Sequence, residues 1–320
     1  MDYQEFLDYV KENILEYMDA DGDEVVDIHI TYKNNDVRLD GLTIRHSGDK
    51  IAPNLYLNDF YKEYEKGKDL AEIMRSIVRQ YQALHTDFDM SPDMVLSADR
   101  IRECVILRLV NHKKNERLLE EIPFVPFEDL AVTFRWLVSM DAGGIATTLV
   151  HERDLIRWGI SKEALYDIAL DNTRRLFPPI IRPLGNLLME YLKDMTVDRQ
   201  EDSTETNQVQ DEIISYMSGD MHRPVFYVLT NTCGLNGATC MLYPGVIAEF
   251  AETIGQDLFI LPSSIHEVLL VPDTEDIDAQ NLHDMVMEAN DTVVFDSEIL
   301  SDNVYYYSRN EKSVKAVFES

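Results

Sequence analysis

The chain has 320 residues, and 59 acidic residues against 29 basic ones give it a formal net charge of −30. So much negative charge repels DNA, RNA and anionic lipid, so we expect neither a nucleic-acid nor a membrane partner. Apolar residues make up 45% of the sequence, which is enough for most of the chain to fold. The length exceeds that of one ordinary core and predicts two or three modules.

The first segment, residues 1–94, is predicted to be an α+β module. Apolar residues recur at helical spacing between Phe6 and Tyr17. Alternating apolar residues across 26–44 then predict a β-hairpin, with Gly41 as a candidate β-bulge. A short aromatic helix and a longer helix near residues 70–84 follow.

The second segment, residues 95–193, is predicted to contain antiparallel strands followed by helices. Three strand-like runs lie at residues 104–110, 130–138 and 144–149. Pro123–Pro126 indicates an extended edge or loop, and Ser161 is the expected N-cap of a helix. Prolines from Pro178 to Pro183 break the chain before a short helix that ends near Lys193.

A polar, acidic stretch at residues 194–212 is predicted to be a linker or loop. Residues 213–320 then form a third module. Within it, strand-like runs at residues 225–230 and 238–243 flank a glycine-containing turn, and a helix begins near Pro244.

The order strand, turn, strand, helix thus occurs in both the second and the third module, which suggests a weak internal duplication. Strands come in antiparallel pairs with helices packed between them. The predicted fold class is therefore α+β, built from two or three modules.

The run from Asp257 to Pro272 places a compact polar turn between two apolar strand-like segments. The turn contains four candidate binding residues: Ser263, Ser264, His266 and Glu267. Tyr243, from the preceding segment, completes the candidate site. A serine nucleophile needs a base, an orienting acid and a strained turn, and that local context is missing.

No metal site or cofactor is predicted. The His151–Glu152 and His266–Glu267 pairs lack the second histidine that a zinc helix requires. The acids between Asp19 and Asp23 depart from the calcium-loop pattern at its glycine and final glutamate. Cys233 and Cys240 flank the predicted turn, where packing is the favoured role and a thiol pair or metal ligation the alternative.

The three cysteines are too few for a disulfide-rich secreted domain. The N-terminus carries acids where an export signal needs basic and then apolar residues. No apolar run approaches the roughly 20 residues that cross a bilayer. We therefore expect a cytoplasmic protein.

Acidic residues concentrate between Asp273 and Asp302, where ten Asp and Glu occur without any Lys or Arg. A solvated helix face with loops is the favoured interpretation, and a surface for a basic partner is the alternative. The Tyr305–Tyr307 run beyond it predicts an edge strand with alternating buried rings.

Four segments resemble a family of uncharacterised proteins from gut Firmicutes. They are Ile51–Asn58, Trp158–Asn172, Leu242–Gly245 and Leu261–Glu267. The family is catalogued only as a domain of unknown function, and the resemblance runs along nearly the whole chain. It implies a bacterial cytoplasmic protein and implies no reaction. The Trp158 segment is also distantly similar to another uncharacterised Firmicutes family.

Three hypotheses about function follow. The leading one is a non-enzymatic protein-interaction module that offers the acidic C-terminal surface to a basic protein. The second is an enzyme or small-molecule binder with a site around the turn at residues 263–267. The third is a nucleic-acid mimic, which requires acids spaced like duplex phosphates. No oligomeric state follows from the sequence.

Overall fold

A computed structural model describes residues 1–18, 22–46, 53–85, 103–141, 144–190 and 225–318. The chain divides into two compact units, Met1–Val95 and Leu96–Ser320. The module boundary expected at residues 94 and 95 and the linker expected at residues 194–212 lie outside the described residues. Both units combine helices with antiparallel sheets, which confirms the α+β prediction.

The first unit packs helices against a three-stranded antiparallel sheet. Its helices are α1 (Tyr3–Asn13), α2 (Asn58–Glu65) and α3 (Leu70–His85), with 3-10 helices at Ile14–Tyr17 and Asn34–Asp36. Its strands, in sheet order, are β1 (Glu24–Tyr32), β2 (Arg38–His46) and β3 (Leu55–Tyr56). Phe6, Leu42 and Ile77 are fully buried in its core. The predicted helices and hairpin are thus confirmed.

Strand β3 covers only part of the edge of β2. It pairs with Gly41 and Leu42. Beyond it, the buried hydroxyl of Tyr81 accepts a hydrogen bond from the Ile44 N–H and donates one to the Ile44 carbonyl, both at 2.7 Å. One side chain of α3 therefore satisfies the strand backbone where β3 ends.

The bulge expected at Gly41 is wrong, because Gly41 stands opposite His29 in a regular ladder. The position instead needs a residue without a side chain. A Cβ added to Gly41 would lie 2.0 Å from Asn54 Oδ1, whose side chain crosses the strand.

Replacing Tyr81 by Phe is expected to lower the free energy of unfolding of unit 1 by roughly 1–3 kcal/mol, because two buried backbone groups lose their partner. Hydrogen exchange on a peptide that covers β2 measures the effect, with faster exchange expected around Ile44. The control is Tyr56→Phe, since Tyr56 is only half-buried. Equal exchange in the two variants would contradict the assigned role.

The second unit contains ten strands and five helices whose two ends both lie in the described residues. Its helices are α4 (Glu116–Leu119), α5 (Glu152–Trp158), α6 (Lys162–Leu176), α7 (Val246–Ile254) and α8 (Ala279–Thr292), with 3-10 helices at Lys113–Asn115 and Gly237–Leu242. Its first four strands are β4 (Val105–Asn111), β5 (Phe124–Phe127), β6 (Leu130–Asp141) and β7 (Gly144–Leu149). The other six are β8 (Pro179–Pro183), β9 (Tyr227–Asn231), β10 (Leu258–Ser264), β11 (Glu267–Pro272), β12 (Tyr305–Ser308) and β13 (Ser313–Ala316). Residues 184–190 are also helical.

Two antiparallel sheets organise this unit. In the smaller sheet, β6 pairs with β4 along one edge and with β5 and then β7 along the other. The larger sheet has the order β13-β12-β10-β11-β9-β8. Side chains from both sheets, among them Leu107, Phe134, Ile260 and Leu270, share one hydrophobic core.

Helix starts follow from local hydrogen bonds. Ser161 Oγ accepts from the Ala164 N–H at 3.2 Å, which confirms it as the N-cap of α6. Asp278 caps α8 in the same way through the Gln280 N–H at 3.0 Å.

Three local predictions in this unit are wrong. Residues 238–243 were expected to form a strand, yet Gly237–Leu242 is a 3-10 helix. In a short run that is apolar throughout, the spacing of apolar residues does not distinguish a helix from a strand. This change removes one element on which the suggested duplication depended.

The other two concern sheet edges. The prolines at 179 and 183 bound an edge strand, β8, instead of breaking the chain; prolines are compatible with an edge because its outer N–H groups need no ladder partner. The tyrosine strand β12 has the expected alternating burial but is not an edge, because β13 pairs with it.

Chain segments distant in sequence meet at the β8–β9 edge. The Leu184 N–H donates to the Phe226 carbonyl at 2.9 Å, directly after the β8–β9 ladder. By contrast, β10 and β11 form a local hairpin whose turn is Ile265–His266. That hairpin positions the first candidate site.

Candidate functional site

The β10–β11 turn is held on several sides by hydrogen bonds. His266 Nδ1 accepts from the Asn236 N–H at 3.1 Å, and the His266 carbonyl accepts from Thr230 Oγ1 at 2.9 Å. The neighbouring Ile265 N–H donates to the Glu298 carbonyl at 2.8 Å. His266 is therefore a point where three chain segments are joined.

The His266 ring is oriented by these contacts. Because Nδ1 accepts a backbone hydrogen bond, the neutral ring carries its proton on Nε2. Nε2 lies 3.6 Å from Glu298 Oε1, and the side chain is 27% exposed. Asn236, which donates to the ring, has a left-handed backbone with φ of 53°. The ring thus stabilises a strained start of the 3-10 helix.

Gly237 lies directly beneath this turn. A Cβ at Gly237 would come within 2.4 Å of the His266 carbonyl oxygen and 2.2 Å of Thr230 Oγ1. Since one of these atoms belongs to the backbone, only glycine allows the segments to approach so closely.

The other predicted residues of the turn bond to one another. Ser263 Oγ donates to Glu267 Oε1 at 3.3 Å, and Ser264 Oγ accepts from the His266 N–H at 3.0 Å. Among the described residues, neither serine is hydrogen-bonded to the imidazole. These are the contacts of a turn, and they give no activated nucleophile.

Tyr243 does not join this group among the described contacts. Its side chain is buried, and its hydroxyl donates to the Phe177 carbonyl at 3.1 Å. Burial, together with the nearby Cys240 thiol, raises the pKa of Tyr243 well above its usual value. The hydroxyl therefore remains protonated and serves as a hydrogen-bond donor inside the core.

Replacing His266 by Ala is expected to lower the free energy of unfolding of unit 2 by roughly 1–2 kcal/mol, because the Asn236 N–H loses its acceptor. His266→Asn should recover at least half of this loss, since the Asn Oδ1 atom can take the place of Nδ1. Both tryptophans of the chain, Trp136 and Trp158, lie in unit 2, and their ring centroids are 5.4 Å apart. Their fluorescence during denaturant unfolding measures the effect, and equal loss in both variants would contradict it.

A cavity of about 250 Å³ opens elsewhere in unit 2. It is lined by residues from well-separated stretches of the chain: Asn111, Lys113, Lys114, Asp129, His283, Asp302, Asn303 and Phe318. Sequence reasoning missed this group, because its members lie in separate stretches of the chain, and each of them alone is an ordinary strand, helix or turn residue. Only the tertiary fold brings them together.

Most polar groups at this cavity already have partners. Asp129 accepts from Ser301 Oγ at 2.5 Å and from the Tyr305 hydroxyl at 2.6 Å. Asp302 accepts from Asn290 Nδ2 at 2.8 Å and lies 3.2 Å from Lys114 Nζ. Burial and the Asp129 carboxylate raise the pKa of Tyr305 well above its usual value, so this donor stays protonated.

The exception is His283, whose buried Nδ1 atom has no hydrogen-bond partner among the described residues. The nearest carboxylate oxygen, on Asp284, is 3.8 Å away. The ring packs against Phe318 with centroids 4.6 Å apart. The wall of the cavity therefore contains a buried imidazole nitrogen without a partner in the described structure, and the space itself suits only a few polar atoms.

The acidic segment between residues 273 and 302 places most of its carboxylates in solvent. Seven are exposed: Glu275, Asp276, Asp278, Asp284, Glu288, Asp291 and Asp296. Helix α8 turns Leu282 and Val286 toward the core and presents Asp284, Met285 and Glu288 outward. The solvated helix face expected from the sequence corresponds to this outer side.

Two apolar side chains directly after α8 are exposed to solvent. Val293 is 75% exposed and Phe295 is 74% exposed. The Phe295 carbonyl accepts from the N–H groups of Glu298 and Ile299 at 2.7 and 3.2 Å, so the backbone that carries the ring is fixed. A large aromatic side chain that is exposed to solvent on an ordered turn is typical of a binding surface.

The cysteines differ strongly in accessibility. Cys240 is buried, with Sγ 3.3 Å from the Thr230 carbonyl oxygen, whereas Cys233 is exposed and Cys104 intermediate. Burial raises the pKa of the Cys240 thiol to about 12. The packing role favoured for both Cys233 and Cys240 agrees with the burial of Cys240, but it is wrong for Cys233, which is exposed. All three cysteines are free thiols.

A thiol reagent at about pH 8 should therefore modify Cys233 fastest and leave Cys240 unmodified in the native protein, because only the thiolate reacts. Unfolding in denaturant should expose all three thiols. The absorbance of released thionitrobenzoate counts them. Cys233→Ser is expected to remove the fast phase, and a fast phase that survives this substitution would contradict the assignment.

The remaining motifs have structural roles where they are described. His151 and Glu152 lie at the start of α5, where the His151 N–H donates to Asp154 Oδ2 at 2.8 Å. Asp19 and Asp21 lie outside the described residues. In the part of the chain that the structure describes, no group of three or more His, Cys, Asp and Glu is arranged to hold a metal ion.

These features define an α+β protein with a polar cavity in its second unit. None of the helices in the described ranges has the length and apolar character needed to cross a bilayer. The chain matches a family of unknown function, DUF5688, over residues 3–309, and it belongs to that family. The resemblance to a family known only as a domain of unknown function is thus confirmed. No curated protein and no solved structure matches the chain.

Proposed function

We propose that this protein is a bacterial cytoplasmic protein-interaction module that binds a basic, amphipathic partner through an acidic surface. That surface, the α8 surface, consists of Asp284, Met285, Glu288, Asp291, Val293, Phe295 and Asp296. The observation that carries the proposal is the exposed Phe295 on a fixed turn next to these carboxylates. An aromatic anchor inside a charged rim is the usual arrangement of an interaction hot spot.

The charge of the surface determines the chemistry of the partner. No Lys or Arg occurs between Asp273 and Asp302, so the carboxylates are not neutralised within the segment. Carboxylates at close spacing make the local electrostatic potential more negative, and this potential attracts cations. A partner with Lys or Arg around an apolar side chain would pair with the carboxylates while its apolar group covers Phe295 and Val293.

The proposal has more support than a small-molecule or catalytic site around Tyr243 and the turn at residues 263–267. There, Tyr243 is buried with its hydroxyl bonded to Phe177, and the turn residues bond mainly to one another. The cavity near Asp129 has a volume of about 250 Å³. This is smaller than the roughly 300–1,000 Å³ of ordinary ligand pockets.

The proposal is tested with a fluorescent amphipathic peptide composed of Leu, Lys and Arg. At about 0.15 M salt, Phe295→Ser is expected to weaken binding roughly tenfold, as the loss of an anchor residue does. The matched control is Ile156→Ser, because Ile156 is 82% exposed on α5. The Ile156→Ser substitution should change the dissociation constant less than about twofold. Fluorescence anisotropy measures both dissociation constants.

Two further comparisons separate the hypotheses. A scrambled peptide of the same composition should bind more weakly, since its apolar groups no longer lie on one face. Nucleic-acid mimicry and nonspecific polycation binding both depend on charge alone, so they predict that Phe295→Ser binds as the unmodified protein does. That result would overturn the proposal.

A further inference from the structure

Two arginines lie side by side on one face of the smaller sheet of unit 2. Arg108 is in β4 and Arg135 in β6, and the register pairs Arg108 with Thr133 and Ile106 with Arg135. Side chains two residues apart on a strand point to the same face, so the two guanidinium groups are diagonal neighbours. The adjacent residues Leu107 and Phe134 point to the opposite face, into the main core.

Within the described ranges of the chain, neither arginine forms an ion pair. The Nε atoms of both are buried without a hydrogen-bond partner among the described residues. Arg135 Nη1 donates to Thr147 Oγ1 at 3.3 Å. Glu298 attracts Arg108 at a distance without forming an ion pair with it in the described structure, and the Glu298 Oε1 atom lies 3.6 Å from His266 Nε2. Elsewhere in the described chain, arginines such as Arg309 reach a carboxylate oxygen, here at 3.0 Å from Glu252.

The arrangement is electrostatically unfavourable as it stands. Burial lowers the pKa of Arg108 to about 9, and repulsion by Arg135 contributes to the shift. Burial alone lowers the pKa of Arg135. A chain with 59 acidic residues has carboxylates in excess, yet none pairs with these two groups within the described structure. A buried charge without a counterion costs stability.

We propose that Arg108 and Arg135 form a binding site for a phosphate group. A guanidinium presents its N–H groups in a planar fork that matches phosphate oxygens, and two forks supply the two positive charges of a phosphate dianion. Both side chains are half-buried, so they remain reachable from solvent while their surroundings strengthen the interaction. A single carboxylate would leave one positive charge uncompensated.

Inorganic phosphate is the first probe, with phenyl phosphate as a monoester and acetate as a carboxylate. Each is titrated at constant ionic strength, which separates specific binding from screening of the −30 net charge. Both phosphate compounds should raise the melting temperature of unit 2, followed by tryptophan fluorescence, and acetate should not. Stabilisation by the monoester alone would identify an ester group, rather than free phosphate, as the ligand.

Arg108→Gln and Arg135→Gln are expected to weaken phosphate binding at least tenfold. Without phosphate, Arg108→Gln should be as stable as the unmodified protein or more stable, since it removes an unpaired buried charge. Arg45→Gln, in unit 1, controls for the loss of one positive charge. Isothermal titration gives the dissociation constants, and Arg108→Lys should retain part of the affinity.

Three results would overturn the proposal. The first is the absence of any stabilisation of the unmodified protein by phosphate or phenyl phosphate. The second is equal stabilisation of the unmodified protein and the Gln variants, which places the anion elsewhere. The third is strong destabilisation of Arg108→Gln in the absence of phosphate, together with unchanged phosphate affinity, which makes Arg108 a structural residue.

Discussion

The hydrophobic core that the two sheets of unit 2 share is the constraint on which the rest of that unit depends. Strands β4 and β6 bury Leu107 and Phe134 in it from one sheet, and β10 and β11 bury Ile260 and Leu270 from the other. Apolar burial stabilises by roughly 25 cal/mol per Å², and here it is gained only when both sheets are in place. We therefore expect the two sheets to unfold as one cooperative unit.

The polar residues at the margin of this core fall into two kinds. Around Asp129, the hydroxyl groups of Ser301 and Tyr305 satisfy the carboxylate at 2.5 and 2.6 Å. A satisfied network of this sort fixes the relative position of its segments. Arg108 and Arg135, in contrast, keep buried nitrogen atoms without partners. Local violations of this kind are expected at functional sites, where stability is exchanged for binding.

Much of the fold follows from the sequence, because helix and strand periods are local properties. The β1–β2 hairpin, the Ser161 cap and the β10–β11 hairpin were all predictable for this reason. The 3-10 helix at Gly237–Leu242 was not, since its form depends on Gly237 fitting beneath the His266 carbonyl. Such close contacts between distant segments leave no periodic signal.

The candidate sites were less accessible to sequence reasoning. The turn around His266 was recognised because its polar residues are consecutive. The cavity near Asp129 was missed because its lining comes from separated segments, among them residues 111–114 and 302–303. Arg108 and Arg135 were missed for another reason: an arginine in a strand is unremarkable until the pairing register shows that a second one lies beside it.

The hydrogen bond between Leu184 and Phe226 at the β8–β9 edge has a consequence for how the protein tolerates change. It fixes Leu184 and Phe226 next to each other, so any connection between these two residues must begin and end at fixed points. The entropy of closing a flexible loop grows only with the logarithm of its length, by about 0.6 kcal/mol for each doubling. By this relation, a change in the length of the connection between β8 and β9 costs the sheet little free energy compared with a change inside either strand.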